Sequence, residues 1–221
     1  MSRESKNFDI SLSLPYRFLK RLEDILGGIV GCILLIPLTL GLYIAKLAKK
    51  DRGPLFYTQN RVAKDGKLFK MYKYRSMIVD ADAVLDKYLS ENPKAALEYK
   101  TYKKLYNDPR ITPLGKFLRK TSIDEFPQFI NVLIGNMSLV GPRPYLEKEI
   151  VDMGSAYNEI IKVKPGLTGP WQIGGRSDTT FDERLELDLE YLEKLSFKSD
   201  FMYIINTIKH FLSKKSKKGA R

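Results

Sequence analysis

The chain has 221 residues, enough for one sizeable domain with an appendage, and its 43% hydrophobic and 11% aromatic content excludes a disordered chain. A formal net charge of +12 and a sequence pI near 9.5 call for an anionic partner, whether nucleic acid, anionic lipid or a phosphorylated small molecule. The single cysteine, Cys32, excludes an intramolecular disulfide, and a lone histidine, His210, leaves no Cys/His cluster, so any metal would be a hard cation on oxygen ligands.

Residues 1–24 read as an amphipathic lead-in. Ile25–Ala45 follows as 21 residues without a charge. As a helix this segment is roughly 32 Å long, against a bilayer core of about 30 Å. Pro37, just past its middle, removes an interior hydrogen bond and predicts a bend. Cations flank both ends: Arg17, Lys20 and Arg21 before, Lys46, Lys49, Lys50 and Arg52 after. Positive flanks stay on the cytoplasmic side, so a straight span satisfies one end and a re-entrant helix–break–helix hairpin satisfies both. The hairpin is the expectation for residues 25–45. The late start of the apolar run and the basic sequence after it argue against a cleaved signal peptide. Gly27 and Gly31 are spaced for a close helix contact.

Pro54–Thr58 and Leu68–Tyr74 read as short extended pieces around a turn at Lys64–Gly66. Asp80–Tyr106 is helical and highly charged, broken at Asn92–Pro93. Thr121–Ile134 is helical, Lys164–Arg176 is a Gly- and Pro-rich loop, and Asp182–Leu195 is helical with Leu185, Leu189 and Leu192 on one face. In the last helix Phe201, Ile204, Ile205, Ile208 and Leu212 share a face, and a basic tail, 213–221, follows. An interfacial helix with a polybasic anchor and an ordinary helix on the core are equally compatible with this pattern. The expected fold is α+β, mainly helical, with a few short strands in one catalytic domain over 46–212, joined to the re-entrant membrane helix and interfacial amphipathic helices.

Chemistry concentrates in Arg119–Pro144. Asp124 and Glu125 open an apolar run, and Gly141–Pro144, a rigid Gly-Pro-Arg-Pro turn, begins 17 residues after Asp124. Ser122 and Glu125 have capping-box spacing, but that register puts Pro127 inside the helix; Asp124 as N-cap keeps Pro127 in the tolerated first turn. Asp124 is then either a cap or a carboxylate beside a phosphate at a helix N-terminus. Arg61, Arg75, Arg110, Arg119, Arg143 and Arg176 sit in turn-like contexts, and the arginine fork suits phosphate. Arg143, held between Pro142 and Pro144, loses least freedom on binding. Lys164–Gly169 fits no phosphate-loop spacing. Trp171 is either a core residue, the default, or a base-stacking platform.

Taken together, GPLFYTQNRVAKDGKLFKMYKYRSM (53–77), NDPRITPLGKFLRKTSIDEFPQFINVL (107–133), MSLVGPRP (137–144), VKPGLTGPWQIGGRSD (163–178) and ERLELDLEYLEKLSFKSD (183–200) resemble the bacterial sugar transferases that act as monotopic polyprenyl-phosphate phosphoglycosyl transferases. The resemblance runs from about Lys20 to Leu212. It implies transfer of a hexose 1-phosphate from a UDP-sugar to undecaprenyl phosphate at the cytoplasmic face of the bacterial inner membrane, with release of UMP. That step would initiate exopolysaccharide, capsule or O-antigen synthesis. Asp124 matches the family nucleophile, which forms a covalent phosphosugar intermediate, and Glu125 the carboxylate that holds Mg²⁺. Arg143 matches the phosphate-binding turn; Arg75, Arg176, Arg119 and Arg61 occupy positions expected to contact substrate. Anionic membrane lipid is a further expected partner, nucleic acid is not, and a homodimer is left open. Family members often carry serine before the hairpin proline, where this chain has Ile36. No extra N-terminal bundle of membrane helices is seen, so the chain is expected to be a minimal catalytic form. The alternative from another class is a non-catalytic, membrane-anchored basic scaffold or nucleic-acid-binding module.

Overall fold

The computed structural model describes residues 12–49, 51, 53–174 and 179–212. The predicted N-terminal stretch before residue 12, Arg176 and the basic tail 213–221 lie outside the described residues.

One helix, α1 (Leu14–Ala48), replaces the predicted lead-in and hairpin. The Ser13 hydroxyl accepts the Tyr16 N–H and Pro15 sits in the first turn, so the helix starts well before Ile25. It is unbroken at Pro37, in place of the expected helix–break–helix. Near the proline, the Thr39 hydroxyl donates to the Leu35 carbonyl (2.7 Å) and lies 2.5 Å from the Tyr74 hydroxyl, a polar support that Ile36 cannot supply. α1 is long and apolar enough to cross a membrane by length and composition.

Only one face of α1 is buried. A strand pair, β1 (Phe56–Val62) and β2 (Leu68–Tyr74), forms an antiparallel hairpin with Phe56 opposite Tyr74 and Val62 opposite Leu68; β2 matches the predicted Leu68–Tyr74, and β1 runs past the predicted Pro54–Thr58. The charged stretch splits into α2 (Ala81–Glu91) and α3 (Pro93–Tyr102) at the predicted Asn92–Pro93 break. Next come α4 (Pro113–Thr121) and the short α5 (Gln128–Ile134). Asn131 ties α5 to the hairpin: its side chain accepts the Tyr72 N–H (3.0 Å) and donates to the Lys70 carbonyl (2.8 Å).

α1 crosses α5 closely. A Cβ at Gly31 would fall 2.1 Å from the Phe129 ring, so only glycine permits this approach. Arg21 donates to the Val132 and Leu133 carbonyls (3.0 and 2.8 Å), satisfying the C-terminal end of α5. Asp24, 2% exposed, accepts from the Ser138 hydroxyl and the Leu139 N–H, both at 2.8 Å. Further along, Leu35 and Leu42 pack with Tyr74 and Leu118. The opposite face, including Leu26, Val30, Ile33, Ile36, Leu40, Tyr43 and Leu47, is exposed.

The second half is built on β3 (Ser138–Val140), α6 (Ile150–Met153) and α7 (Ala156–Ile160). Parallel to β3 runs β4 (Gly166–Thr168), and α8 (Pro170–Gly174), α9 (Phe181–Glu193) and α10 (Phe197–Leu212) complete the fold. The predicted loop 164–176 therefore contains a strand and a helical turn. Three-residue strands are too short to show alternation. The core of this half gathers Val140, Tyr145, Met153, Ile160, Leu185, Tyr191 and Leu192. α10 packs Tyr203 and Ile204 on that core and leaves Phe201, Met202 and Ile208 exposed. Asp200, fully buried, joins three helices: it accepts from the Tyr16 hydroxyl (2.8 Å) and the Tyr191 hydroxyl (2.7 Å), and Lys20 Nζ lies 2.7 Å away.

Candidate active site

The predicted continuous helix over 121–134 is interrupted where the carboxylates lie. α4 stops at Thr121, and Ser122 takes a left-handed conformation (φ 53°), its N–H bonded to the Leu118 and Arg119 carbonyls. A 3-10 turn, Ile123–Glu125, follows, and Pro127 caps α5. Asp124 is thus neither a capping-box partner nor the N-cap of α5; it sits in the turn between two helices. The left-handed Ser122, unusual for a residue with a Cβ, aims that turn inward.

Asp124 is 8% exposed. Burial first, and the Glu125 carboxylate second, push its carboxyl up to about 6, against the opposing pull of Lys73 and Arg119. Lys73 Nζ lies 3.0 Å from Glu125 Oε1 and pins the more exposed carboxylate beside the buried one. Arg119 Nε donates to the Ser76 hydroxyl at 3.0 Å.

Both carboxylates line a cleft of about 1180 Å³. Leu26, Val30 and Leu34 of α1, with Phe126 and Phe129, give it an apolar wall. Arg61, Arg75, Arg119 and Arg143 line it as well, so the fold gathers every predicted site residue except Arg176, which is outside the described residues.

These arginines are not equivalent. Arg75 donates to the Pro54 and Met77 carbonyls and to both Asp51 oxygens (2.7 and 2.5 Å), so every arm of its fork is engaged by protein. It braces the chain after α1 against β2 and also lines the cleft. Arg61 donates to the Pro144 carbonyl (2.8 Å) and Gln59 (2.7 Å), fixing the Arg143 turn from below. Burial, then the neighbouring Arg143 charge, hold the Arg61 guanidinium down at about 10.

Arg143 is held through its backbone. Its N–H donates to Asp188 (3.1 Å), which also accepts the Tyr145 hydroxyl (2.8 Å). Complete burial pushes the Asp188 carboxyl up to about 7, opposed by those two hydrogen bonds. The Arg143 guanidinium carbon lies 4.9 Å from the Trp171 ring centroid, and that of Arg184 lies 5.5 Å from it. Trp171 is therefore part of the cleft and not the core residue expected. Sequence reading missed Lys73, Arg184 and Asp188. Lys73 could have been found from strand alternation beside an aromatic pair, but the other two lie in an acidic helix with no local signal.

Among the described residues no group of three or more His, Cys, Asp or Glu side chains gathers to hold a metal. The donor set at the carboxylate pair is oxygen only, and Glu125, its side chain 38% exposed, can offer a carboxylate to the cleft. That suits Mg²⁺, which takes one or two carboxylates and completes its shell with substrate phosphates and water.

A buried carboxylate thus lies beside a more exposed one in a cleft walled by cations and by an apolar helix. The chain belongs to the bacterial sugar transferase family, whose model matches residues 15–214. It is 46% identical over 191 residues to the galactosyl transferase CpsE of Streptococcus agalactiae, covering 86% of this chain and 41% of that protein. It is 42% identical over 193 residues to the undecaprenyl-phosphate galactose phosphotransferase of Salmonella typhimurium, covering 87% of this chain and 40% of that one. With the exopolysaccharide production protein ExoY of Sinorhizobium fredii it shares 40% identity over 189 residues, 86% of this chain and 83% of the relative. The chain thus spans about two fifths of the first two relatives and most of the third.

Proposed function

We propose that this protein transfers a hexose 1-phosphate from a UDP-sugar to undecaprenyl phosphate, as an initiating step of surface polysaccharide synthesis. The observation that carries the reading is the buried Asp124 beside Glu125, in one cleft with six arginines and apolar residues of α1. A non-catalytic basic scaffold does not call for an adjacent carboxylate pair facing a cleft of cations.

The chemistry takes two displacements. An Asp124 oxygen bonds to the phosphorus that bears the sugar, and the bond from that phosphorus to the bridging oxygen breaks, its electrons leaving on UMP. A lipid phosphate oxygen then attacks the same phosphorus, and Asp124 departs as a carboxylate. Neither step needs a proton; both need charge neutralisation and in-line placement. Arg143 neutralises phosphate charge, Lys73 holds Glu125 in place, and burial keeps water from the aspartyl acyl phosphate. Glu125 would hold the Mg²⁺ that supplies further neutralising charge.

The membrane reading rests on where α1 is fastened. Arg21 and Asp24 near its start, and Leu42 and the Asp51–Arg75 pair at and beyond its end, dock on one domain. A spanning helix would part these anchors by a bilayer. We read both ends of α1 as lying on the cytoplasmic side of the inner membrane, with its exposed apolar face in lipid. With Cys32 replaced by serine, single cysteines at Lys20 and Lys46 should both resist a membrane-impermeant thiol reagent in intact cells and react after lysis. Labelling of one end alone in intact cells means a span.

The reaction is tested by UMP release from protein in nanodiscs. Sustained release is expected with a UDP-hexose and undecaprenyl phosphate, abolished by EDTA and restored by Mg²⁺. Folded protein that releases no UMP with any UDP-sugar, or that ignores the lipid, would refute the assignment.

A further inference from the structure

α9 carries an arginine in an unusual condition. Arg184 is 2% exposed, yet it lines the cleft. Its Nη2 donates to two backbone carbonyls, Tyr102 and Thr179, each at 3.0 Å, and its Nε is buried without a partner. No carboxylate of the described residues lies within ion-pair distance of it. Arg143 is in the same state: its Nε is buried and unpartnered, and its guanidinium rests only on Trp171. The Trp171 indole N–H is a third buried donor without an acceptor.

A buried guanidinium without a counter-ion is costly, and two beside one ring repel each other as well. Burial first, and Arg143 second, hold the Arg184 guanidinium down at about 10. The nearby acids do not settle the balance. Asp188 gives one oxygen to the Arg143 N–H and the Tyr145 hydroxyl, and Glu149 accepts the Leu146 N–H and lies 4.0 Å from Arg61. Among the described residues no carboxylate pairs directly with either guanidinium, which leaves room for an anionic ligand. Donors without acceptors, converging from α8, α9 and the Gly141–Pro144 turn, describe a preformed anion subsite.

We infer that Arg184, with Arg143 and the Trp171 indole N–H, binds the diphosphate of the nucleotide-sugar donor. This rests on the transferase reading above. The shared chemistry is a phosphate ester, which donor and lipid acceptor both carry. Two guanidiniums and an indole donor match the donor's two linked phosphates better than the single phosphate of the lipid.

Trp171 is the only tryptophan in the chain, so its fluorescence reports on this subsite directly. The full-length protein in nanodiscs is titrated with UDP and, separately, with undecaprenyl phosphate. In the parent, UDP should change the Trp171 emission saturably. Arg184→Gln should raise the UDP midpoint by roughly 10- to 100-fold, the loss of a charge-assisted contact, and leave the response to the lipid unchanged. In UMP release the same variant should raise the KM for donor and not that for lipid. If Arg184→Gln fails to fold by circular dichroism, Arg184→Lys, which keeps the charge and loses the fork, is read in the same way. An unchanged UDP midpoint, a parent emission blind to UDP, or a shift confined to the lipid titration each overturns the inference. A parent that binds UDP but releases no UMP would refute the reaction and not the subsite.

Discussion

Asp124→Asn is expected to lower sustained UMP release by about 10⁴-fold or more while the protein stays folded. Loss of a nucleophile removes the covalent route entirely and leaves only substrate positioning. Asparagine is nearly isosteric, so the turn over Ile123–Glu125 has no reason to rearrange. Asp124 is buried, and desolvation is the largest influence on its carboxyl, so removing the charge relieves a cost. The melting temperature of the metal-free variant should equal or exceed that of the parent. The parent, mixed with donor and no lipid, should release roughly one UMP per chain and then stall, as a two-step displacement demands. Turnover retained by a folded Asp124→Asn protein would remove Asp124 from the chemistry.

Gly166→Ala carries the second large effect, and it acts from a distance. A Cβ there would lie 2.1 Å from the Gly141 nitrogen, 2.4 Å from the Thr168 oxygen and 2.6 Å from the Gly141 oxygen. All three are backbone atoms and cannot rotate away. The Gly166 N–H donates to the Pro142 carbonyl (2.8 Å) and the Gly141 N–H to the Thr168 carbonyl (3.0 Å), so a methyl group would pry apart the strand pair that seats the Arg143 turn. A loss of about 1–3 kcal/mol in stability is expected, with a fall in donor binding as the turn shifts. Gly41→Ala, where nothing lies within 4 Å of the added carbon, is the matched control and should melt like the parent. Equal melting and activity for the two variants would show that the turn is seated by other means.

Much of this was readable in the residues. The hairpin over Phe56–Tyr74 follows from aromatic alternation around Lys64–Gly66, and the α2–α3 break from Asn92–Pro93. Asp124, Glu125 and Arg143 were legible because a carboxylate pair and a doubly proline-locked arginine are locally odd. Arg75 and Arg143 look alike in sequence; what separates them is that Asp51 and the Pro54 and Met77 carbonyls take up the Arg75 fork, and no local pattern announces those partners. Arg184 was hidden for the opposite reason. Its acidic neighbours in sequence suggest a neutralised helix face, and only the fold brings Arg184 over Trp171. The start of α1 at Leu14 was masked by its charges, which proved to be docking groups. The Gly-rich 164–169 stretch is glycine-rich because two backbones touch there, not because a phosphate does.

The buried Asp200 has a consequence for synthesis. Its partners Tyr16 and Lys20 lie at the start of α1, 184 residues away in the case of Tyr16. The ribosome delivers the apolar helix first and the acid that locks it nearly last. For most of translation α1 therefore has its docking face unmet, while α5, the hairpin and β3 accumulate. Closure of the anchor becomes a late checkpoint, and a nascent chain that stops short of Ser196 holds a lysine and a tyrosine with no acid to receive them.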